Sequence, residues 1–373
     1  MAAVGMLLDP FKVGREAKAL EGKLRKRIVG QDEAIRQIVG VYQTYLAGLN
    51  NPGAPVGSFL FLGPTGSGKT RTVEAVAEAL TGDARAAIKI DCGEYQHGHE
   101  IAKLVGSPPG YLGHRETHPL LCQEALNQYQ TENMKLSFLL FDEIEKASDA
   151  LWNLLLGILD KATLTLGDNR RVDFSRAMIF LTSNLGAREI ESLARPRLGF
   201  APVGPWAAND ESSASATEHA AKVSHAGVDA ARRRFSPEFM NRLDKVVVFH
   251  PLAQAELRGI LGLELNLLRD RIQRAAATNA VQLEVSEAVQ DFLLREGTDA
   301  RYGARHLKRT LERLLVQPLA SLIATGQIQA GDGIYVELDG TAQAARLVFF
   351  KTKKGPAGRP VTPDPPPTHA VAA

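Results

Sequence analysis

Five runs of consecutive apolar residues, each closed by glycine or a polar residue, punctuate the chain: GSFLFLG at 57–63, AAIKIDC at 86–92, KLSFLLFDE at 135–143, RAMIFLTSN at 176–184 and DKVVVFHPL at 244–252. Unbroken rather than alternating hydrophobicity predicts strands buried on both faces. Helical stripes lie between them, such as Val73, Val76, Ala77 and Leu80, which share one face of a helix. Strands alternating with helices predict an α/β fold, a parallel sheet flanked by helices on both sides. After residues 250–252 the pattern turns mostly helical, with Leu307, Leu311, Leu314 and Leu315 on one stripe, and it closes on a short strand pair at GIYVELDG and ARLVFF.

These changes of pattern divide the chain into an amino-terminal segment at 1–20, an α/β domain at 21–249, a smaller, mainly helical domain at 250–350 and a tail at 351–373. Residues 201–231 are rich in Ala and Ser with weak periodicity and predict an exposed insertion in the α/β domain. The Pro-rich tail predicts disorder. No internal repeat is visible.

Composition narrows the classes without choosing one. A length of 373 residues and 45% hydrophobic content predict two domains with real cores. Lys and Arg number 44 against 42 Asp and Glu, a net charge of +2, which argues against a chain devoted to coating nucleic acid. Cys92 and Cys122 fit neither a metal-ligand spacing nor a dense disulfide framework and read as ordinary thiols in a reducing compartment. The amino terminus has no basic leader region and meets Asp9 after a short apolar patch, and no stretch approaches the ~20 apolar residues that span a bilayer. The expectation is a soluble, cytoplasmic protein with no membrane partner.

The chemistry is concentrated at the ends of three of the apolar runs. GPTGSGKT supplies Gly63, Pro64, Thr65, Gly66, Ser67, Gly68, Lys69 and Thr70 in the full phosphate-loop pattern, with a strand before it and a helix after. The glycines let backbone N–H groups turn around phosphates, the helix N-terminus adds positive potential, Lys69 reaches the terminal phosphates and the Thr70 hydroxyl holds Mg²⁺. Asp142 and Glu143 end a second run, where Asp142 can hold Mg²⁺ and Glu143 can act as general base on a water. Solvated turn residues or helix caps are the competing reading of that pair. Asn184, ending a third run, can meet the terminal phosphate or the attacking water, and it can equally cap a following helix. Arg242 and Arg305 are the further cationic candidates, although an isolated arginine is usually solvated or ion-paired.

With these elements in order, the chain resembles the AAA+ ATPases, and within them the Clp unfoldases. GQDEAI at 30–35, SFLFLGPTGSGKT, LVGSPPGYLG, DEIEKA, VDF, TSNLGA, FSPEFMNRLD, VVVFHPL and YGARHLKR are similar to the second ATPase module of two-ring ClpA, ClpB and ClpC proteins, here as a stand-alone module, over residues 20–340. The resemblance implies an α/β nucleotide domain followed by a small helical lid, with ATP between them and Ile28 and Val29 against adenine. It implies Asn184 as first sensor, Arg305 as second sensor and Arg242 as an arginine finger that acts on the neighbouring subunit, hence a homo-oligomeric ring, usually a hexamer.

GSPPGYLGH at 106–114 presents Tyr111 and Leu112 on a short loop that looks like the axial pore loop of these unfoldases. An aromatic tip can press on polypeptide of almost any sequence, because apolar contact is not directional. A tyrosine packed back on its own domain is the competing reading. The expected substrate is polypeptide. Nucleic acid is disfavoured, since only Arg115 and His114 lie near that loop, beside Glu116. In protease-associated members a loop like Leu198, Gly199 and Phe200 docks a ClpP-type peptidase, which the resemblance adds as a further partner. An assembly factor or switch acting on one dedicated partner is the alternative class.

Overall fold

The computed structural model describes residues 9–10, 12–107, 118–132, 134–187, 189–190, 213–275, 281–299, 303–329, 331–340 and 345–352. Strand β1 (Gly57–Leu62) is buried along its length, and its side chains divide by parity: Leu60 and Leu62 enter one apolar core, Phe59 and Phe61 another. This is what an unbroken apolar strand requires, because successive side chains point to opposite faces. Strands β2 (Ala87–Asp91), β3 (Ser137–Asp142), β6 (Ala177–Ser183) and β7 (Lys245–Val248) complete a five-stranded parallel sheet in the order β2-β3-β6-β1-β7. Between β3 and β6 in sequence lies a small hairpin, β4 (Thr163–Thr165) with β5 (Arg171–Asp173). The apolar pattern does not announce it, because only Val172 among those six residues is buried.

Each face carries its own helices. On one side α1 (Arg15–Arg25), α2 (Asp32–Leu46) and α3 (Lys69–Thr81) deliver Leu20, Leu24, Ile35, Ile38, Val73 and Val76 to the core that holds Phe59 and Phe61. There Phe59 stacks on Phe180 with ring centroids 5.0 Å apart, and Phe61 meets Phe249 at 4.9 Å. Such pairs contribute about 1 kcal/mol each beyond the area they bury. On the other side α4 (Asp149–Lys161) contributes Leu151, Leu155 and Ile158.

The exposed insertion expected over 201–231 is corrected in its later part. Ser213–Arg234 forms a 22-residue helix, α5, whose Val223 and Ala231 are buried in the same core as α4. Residues 201–212 lie outside the described residues. Alanine is the strongest helix former, and the stripe Val223, Gly227, Ala231 is small rather than strongly apolar, so periodicity of hydrophobicity underreads it. Smallness is the packing device here: a Cβ at Gly227 would come within 3.0 Å of Val248 Cγ2.

The chain divides into two compact units, the first taking in Met1–Glu256 and Ala300–Arg305, the second Leu257–Asp299 and His306–Ala373. Helices α6 (Gln254–Ala275), α7 (Glu287–Gly297), α8 (Ala304–Leu311) and α9 (Gln317–Ala324) account for most of the later sequence. In the second unit Leu307, Leu311 and Leu315 are buried as the stripe predicts. The strand pair β9 (Gly333–Asp339) and β10 (Arg346–Thr352) is antiparallel, and β8 (Gln282–Val285) joins β9 in parallel to make a three-stranded sheet. Among the described residues no helix is long and apolar enough to cross a membrane.

Candidate functional site

Register gathers the three motif-bearing strands at one level. Leu62 of β1 lies opposite Ser183 of β6, and Leu181 of β6 opposite Phe141 of β3, so the carboxyl ends of three adjacent strands finish together. Neighbouring strands lie ~4.8 Å apart, which brings the segments leaving β1 and β3, on either side of β6, within ~10 Å. Ligands of open α/β sheets bind at this edge.

The segment after β1 is shaped by backbone positions that side chains rarely tolerate. Gly63, Gly66 and Gly68 hold φ of 137°, 78° and 103°, and a Cβ at Gly63 would lie 2.4 Å from the Phe249 carbonyl oxygen. Ser67 Oγ donates to the Pro64 carbonyl at 2.9 Å, closing the loop on itself, and α3 starts at Lys69, so its unpaired N–H groups face the loop. Lys69 is buried, its Nζ donating to the carbonyls of Gly63 at 2.7 Å and Pro64 at 2.9 Å and to Asn184 Oδ1 at 3.0 Å. Burial pushes the Lys69 ammonium down to about 8, against the opposite pull of Asp142, Glu145 and Glu143 and with the help of the nearby Arg305 cation.

At the end of β3 the two carboxylates have separate surroundings. Asp142 accepts from Thr182 Oγ1, and its Oδ2 lies 3.4 Å from Thr70 Oγ1. Two oxygen donors of this kind at a helix start suit a small hard cation such as Mg²⁺, and the glycine cradle beside them suits phosphate. Glu143 adopts a left-handed backbone, φ 54° and ψ 48°, unusual for a residue with a side chain. That conformation turns the chain into the tight turn Ile144–Lys146, and Lys146 pairs with Glu143 Oε2. The Asn184 amide donates to Glu143 Oε1 at 3.4 Å, so one side chain joins Lys69 to Glu143.

The structure brings Gly63 to Thr70, Asp142, Glu143 and Asn184 into this single cluster. Arg305 stands close by: the amide of its neighbour Ala304 donates to the Gly66 carbonyl at 3.2 Å, and its exposed side chain is near enough to act on Lys69. Ile28 is buried and Val29 half-buried next to Gln31, whose Nε2 donates to the Ser67 carbonyl at 3.1 Å and to that of His250 at 3.0 Å. Arg242 is not part of the cluster; its guanidinium pairs with Asp160 and Glu238. Tyr111 and Leu112, and likewise Leu198, Gly199 and Phe200, lie outside the described residues. Motif spacing passed over Thr182, Glu145 and Lys146, which complete the network. Thr182 carried a usable signal, standing near the end of β6 only two residues before Asn184.

Comparison with known proteins agrees with this geometry. A family model described as AAA domain (Cdc48 subfamily) matches residues 54–246, and one described as the C-terminal, D2-small domain, of ClpB protein matches residues 252–336. The chain is 35% identical over 322 residues to the chaperone protein ClpB of Bdellovibrio bacteriovorus, covering 86% of this chain and 34% of that one. It is 38% identical over 317 residues to ClpB of Meiothermus ruber, covering 85% and 34%, and 37% identical over 322 residues to chloroplastic ClpC3 of Oryza sativa, covering 86% and 32%. The chain thus spans about a third of the length of the curated relatives it matches. Among solved structures it is similar to Hsp104 in a closed state with ATPγS and FITC casein, at TM-score 0.71 and 28% identity, covering 91% of this chain and 53% of that one.

Proposed function

This chain belongs to the Clp-type AAA+ ATPases, and from that premise we propose that it couples ATP hydrolysis to the remodelling of polypeptide, as a homo-oligomeric ring, most simply a hexamer. The loop Gly63–Thr70 cradles the phosphates through backbone N–H groups, with Lys69 exchanging its carbonyl partners for the terminal phosphates. Thr70 and Asp142 hold Mg²⁺, which when bound neutralises charge on the phosphate oxygens. Glu143 accepts the proton of the attacking water, and Asn184, already between Lys69 and Glu143, orients that water against the terminal phosphate. Ile28 and Val29 face adenine, and Arg305 adds positive charge near Lys69. Arg242 serves the site of the next subunit.

Hsp104 with casein and the ClpB relatives support polypeptide as substrate; the grip is assigned to Tyr111 and Leu112 on the sequence of their loop alone. Leu198, Gly199 and Phe200 add a docking tripeptide for a ClpP-type peptidase, where two apolar side chains bury area around a turning glycine. The observation that carries the reading is the Asn184 bridge, because it places a cation and a carboxylate on two sides of one amide at the phosphate loop. The test is turnover in the Glu143→Gln protein. It should bind ATP with near-normal affinity and lose ~10³-fold or more in hydrolysis. Unimpaired hydrolysis would remove the general-base assignment.

A further inference from the structure

Strand β6 ends its ladder with β1 at Ser183, and Asn184 is the next residue, where the chain leaves the sheet. A half-buried N–H there needs an acceptor. It finds one in Glu145, whose Oε1 accepts from it at 3.1 Å. The placement is indirect but firm. Glu145 sits in the tight turn Ile144–Lys146 that follows β3; Ile144 is fully buried, and Arg234 Nη2 of α5 donates to the Glu145 carbonyl at 3.1 Å.

The second oxygen of that carboxylate, Oε2, is buried and has no hydrogen-bond partner among the described residues. An unpartnered buried carboxylate oxygen costs about 1–3 kcal/mol, so stability alone does not account for a carboxylate in this turn. A neutral side chain would fill the turn without that cost. Beside its pull on the Lys69 ammonium, the carboxylate fixes the main chain at Asn184, whose side chain reaches Lys69, Thr65 and Glu143 at 3.0, 3.4 and 3.4 Å. Catalytic geometry is sensitive on this scale, a displacement of ~1 Å costing up to ~10²-fold in rate.

We propose that Glu145 is a positioning residue for hydrolysis: by accepting the Asn184 N–H it holds the Asn184 amide between Lys69 and Glu143. The proposal rests on the reading of Asn184 given above. In this role Glu145 acts through the Asn184 main chain, so its loss should lower kcat and leave nucleotide affinity alone.

The experiment compares steady-state ATP hydrolysis and equilibrium ATP binding for the full chain as wild type, Glu145→Ala, Glu145→Gln, Asn184→Ala and the Glu145→Ala/Asn184→Ala double variant. Glu145→Ala should lose about tenfold or more in kcat with KM within about twofold. Glu145→Gln, whose amide oxygen can accept the same N–H, should return to within about threefold of wild type and also controls for folding. In the Asn184→Ala background Glu145→Ala should add nothing, since it acts through a side chain already gone. Multiplicative losses in the double variant, or a Glu145→Gln protein as slow as Glu145→Ala, would overturn the proposal. If Asn184→Ala slows turnover and Glu145→Ala does not, this inference alone fails. If Asn184→Ala hydrolyses ATP normally, the reading of Asn184 fails and the inference falls with it.

Discussion

The Ser58 hydroxyl donates to the backbone carbonyl of Arg242 at 3.2 Å, which pins Arg242 beside the first residues of β1, at the end of the strand away from the phosphate loop. Asp244 strengthens the attachment: its Oδ2 accepts from the Ser58 N–H at 2.7 Å, and its own N–H donates to the Ser58 hydroxyl oxygen at 2.9 Å. From Ser58 to Gly63 the strand advances five residues at ~3.3 Å each, ~16 Å in all. The Arg242 guanidinium, turned toward Asp160 and Glu238, is therefore badly placed for the phosphates of its own chain.

That placement makes the complementation test decisive for shared sites. On the proposed role in the next subunit's site, Arg242→Ala alone should lose about 10³-fold in hydrolysis. Mixed with Glu143→Gln in equal parts, it should recover turnover wherever an intact Arg242 faces an intact Glu143. Co-assembled mixtures that recover none would contradict action between subunits.

Lys69 gives a pH signature. Its ammonium titrates near 8 in the folded chain, below the ordinary 10.5, because burial disfavours the charge. Below about pH 8 both folded and unfolded chains carry the proton, and the cost of the buried charge is present in full. Between about 8 and 10.5 the unfolded chain binds more protons, so stability rises with pH, by up to about 3 kcal/mol. Denaturant unfolding without nucleotide, compared for wild type and Lys69→Met across this window, should show wild type gaining on the variant as pH rises. A pH-independent difference would count against the buried ammonium.

Gly63 is a steric prediction. With φ at 137° and the Phe249 carbonyl 2.4 Å from a would-be Cβ, Gly63→Ala must shift backbone and should cost about 3 kcal/mol, together with weaker ATP binding. Gly22, inside α1 with nothing within 4 Å of its would-be Cβ, is the control. Gly22→Ala should stabilise by up to ~1 kcal/mol. Urea midpoints of the two variants check both values, and equal shifts would refute the packing argument.

Much of this was legible in the sequence, and the physical reasons differ by element. The central strands β1, β3 and β6 show because both faces are buried, as the division of Phe59 and Phe61 from Leu60 and Leu62 makes plain. The phosphate loop shows because only glycine fits Gly63 and Gly68. Helix α5 was hidden, since Val223, Gly227 and Ala231 pack by being small. Strand β8 was hidden because it is four residues long and alternates exposed with buried positions. Glu145 gave no spacing signal at all; its partner Asn184 is 39 residues away and meets it only through the pairing of β3 with β6. The position of Arg242 likewise needs the β1–β7 pairing before its distance from the loop has meaning.

The central claim, that ATP hydrolysis here remodels polypeptide, is tested most directly by following the signal of a tagged, folded reporter protein while ATP turnover is measured alongside, with permanently unfolded protein or DNA as competing stimulants. The reporter should unfold only with ATP, and unfolded protein but not DNA should accelerate hydrolysis. Tyr111→Ala should keep basal turnover and lose the unfolding. Hydrolysis accelerated by DNA, with the reporter left folded throughout, would contradict the account.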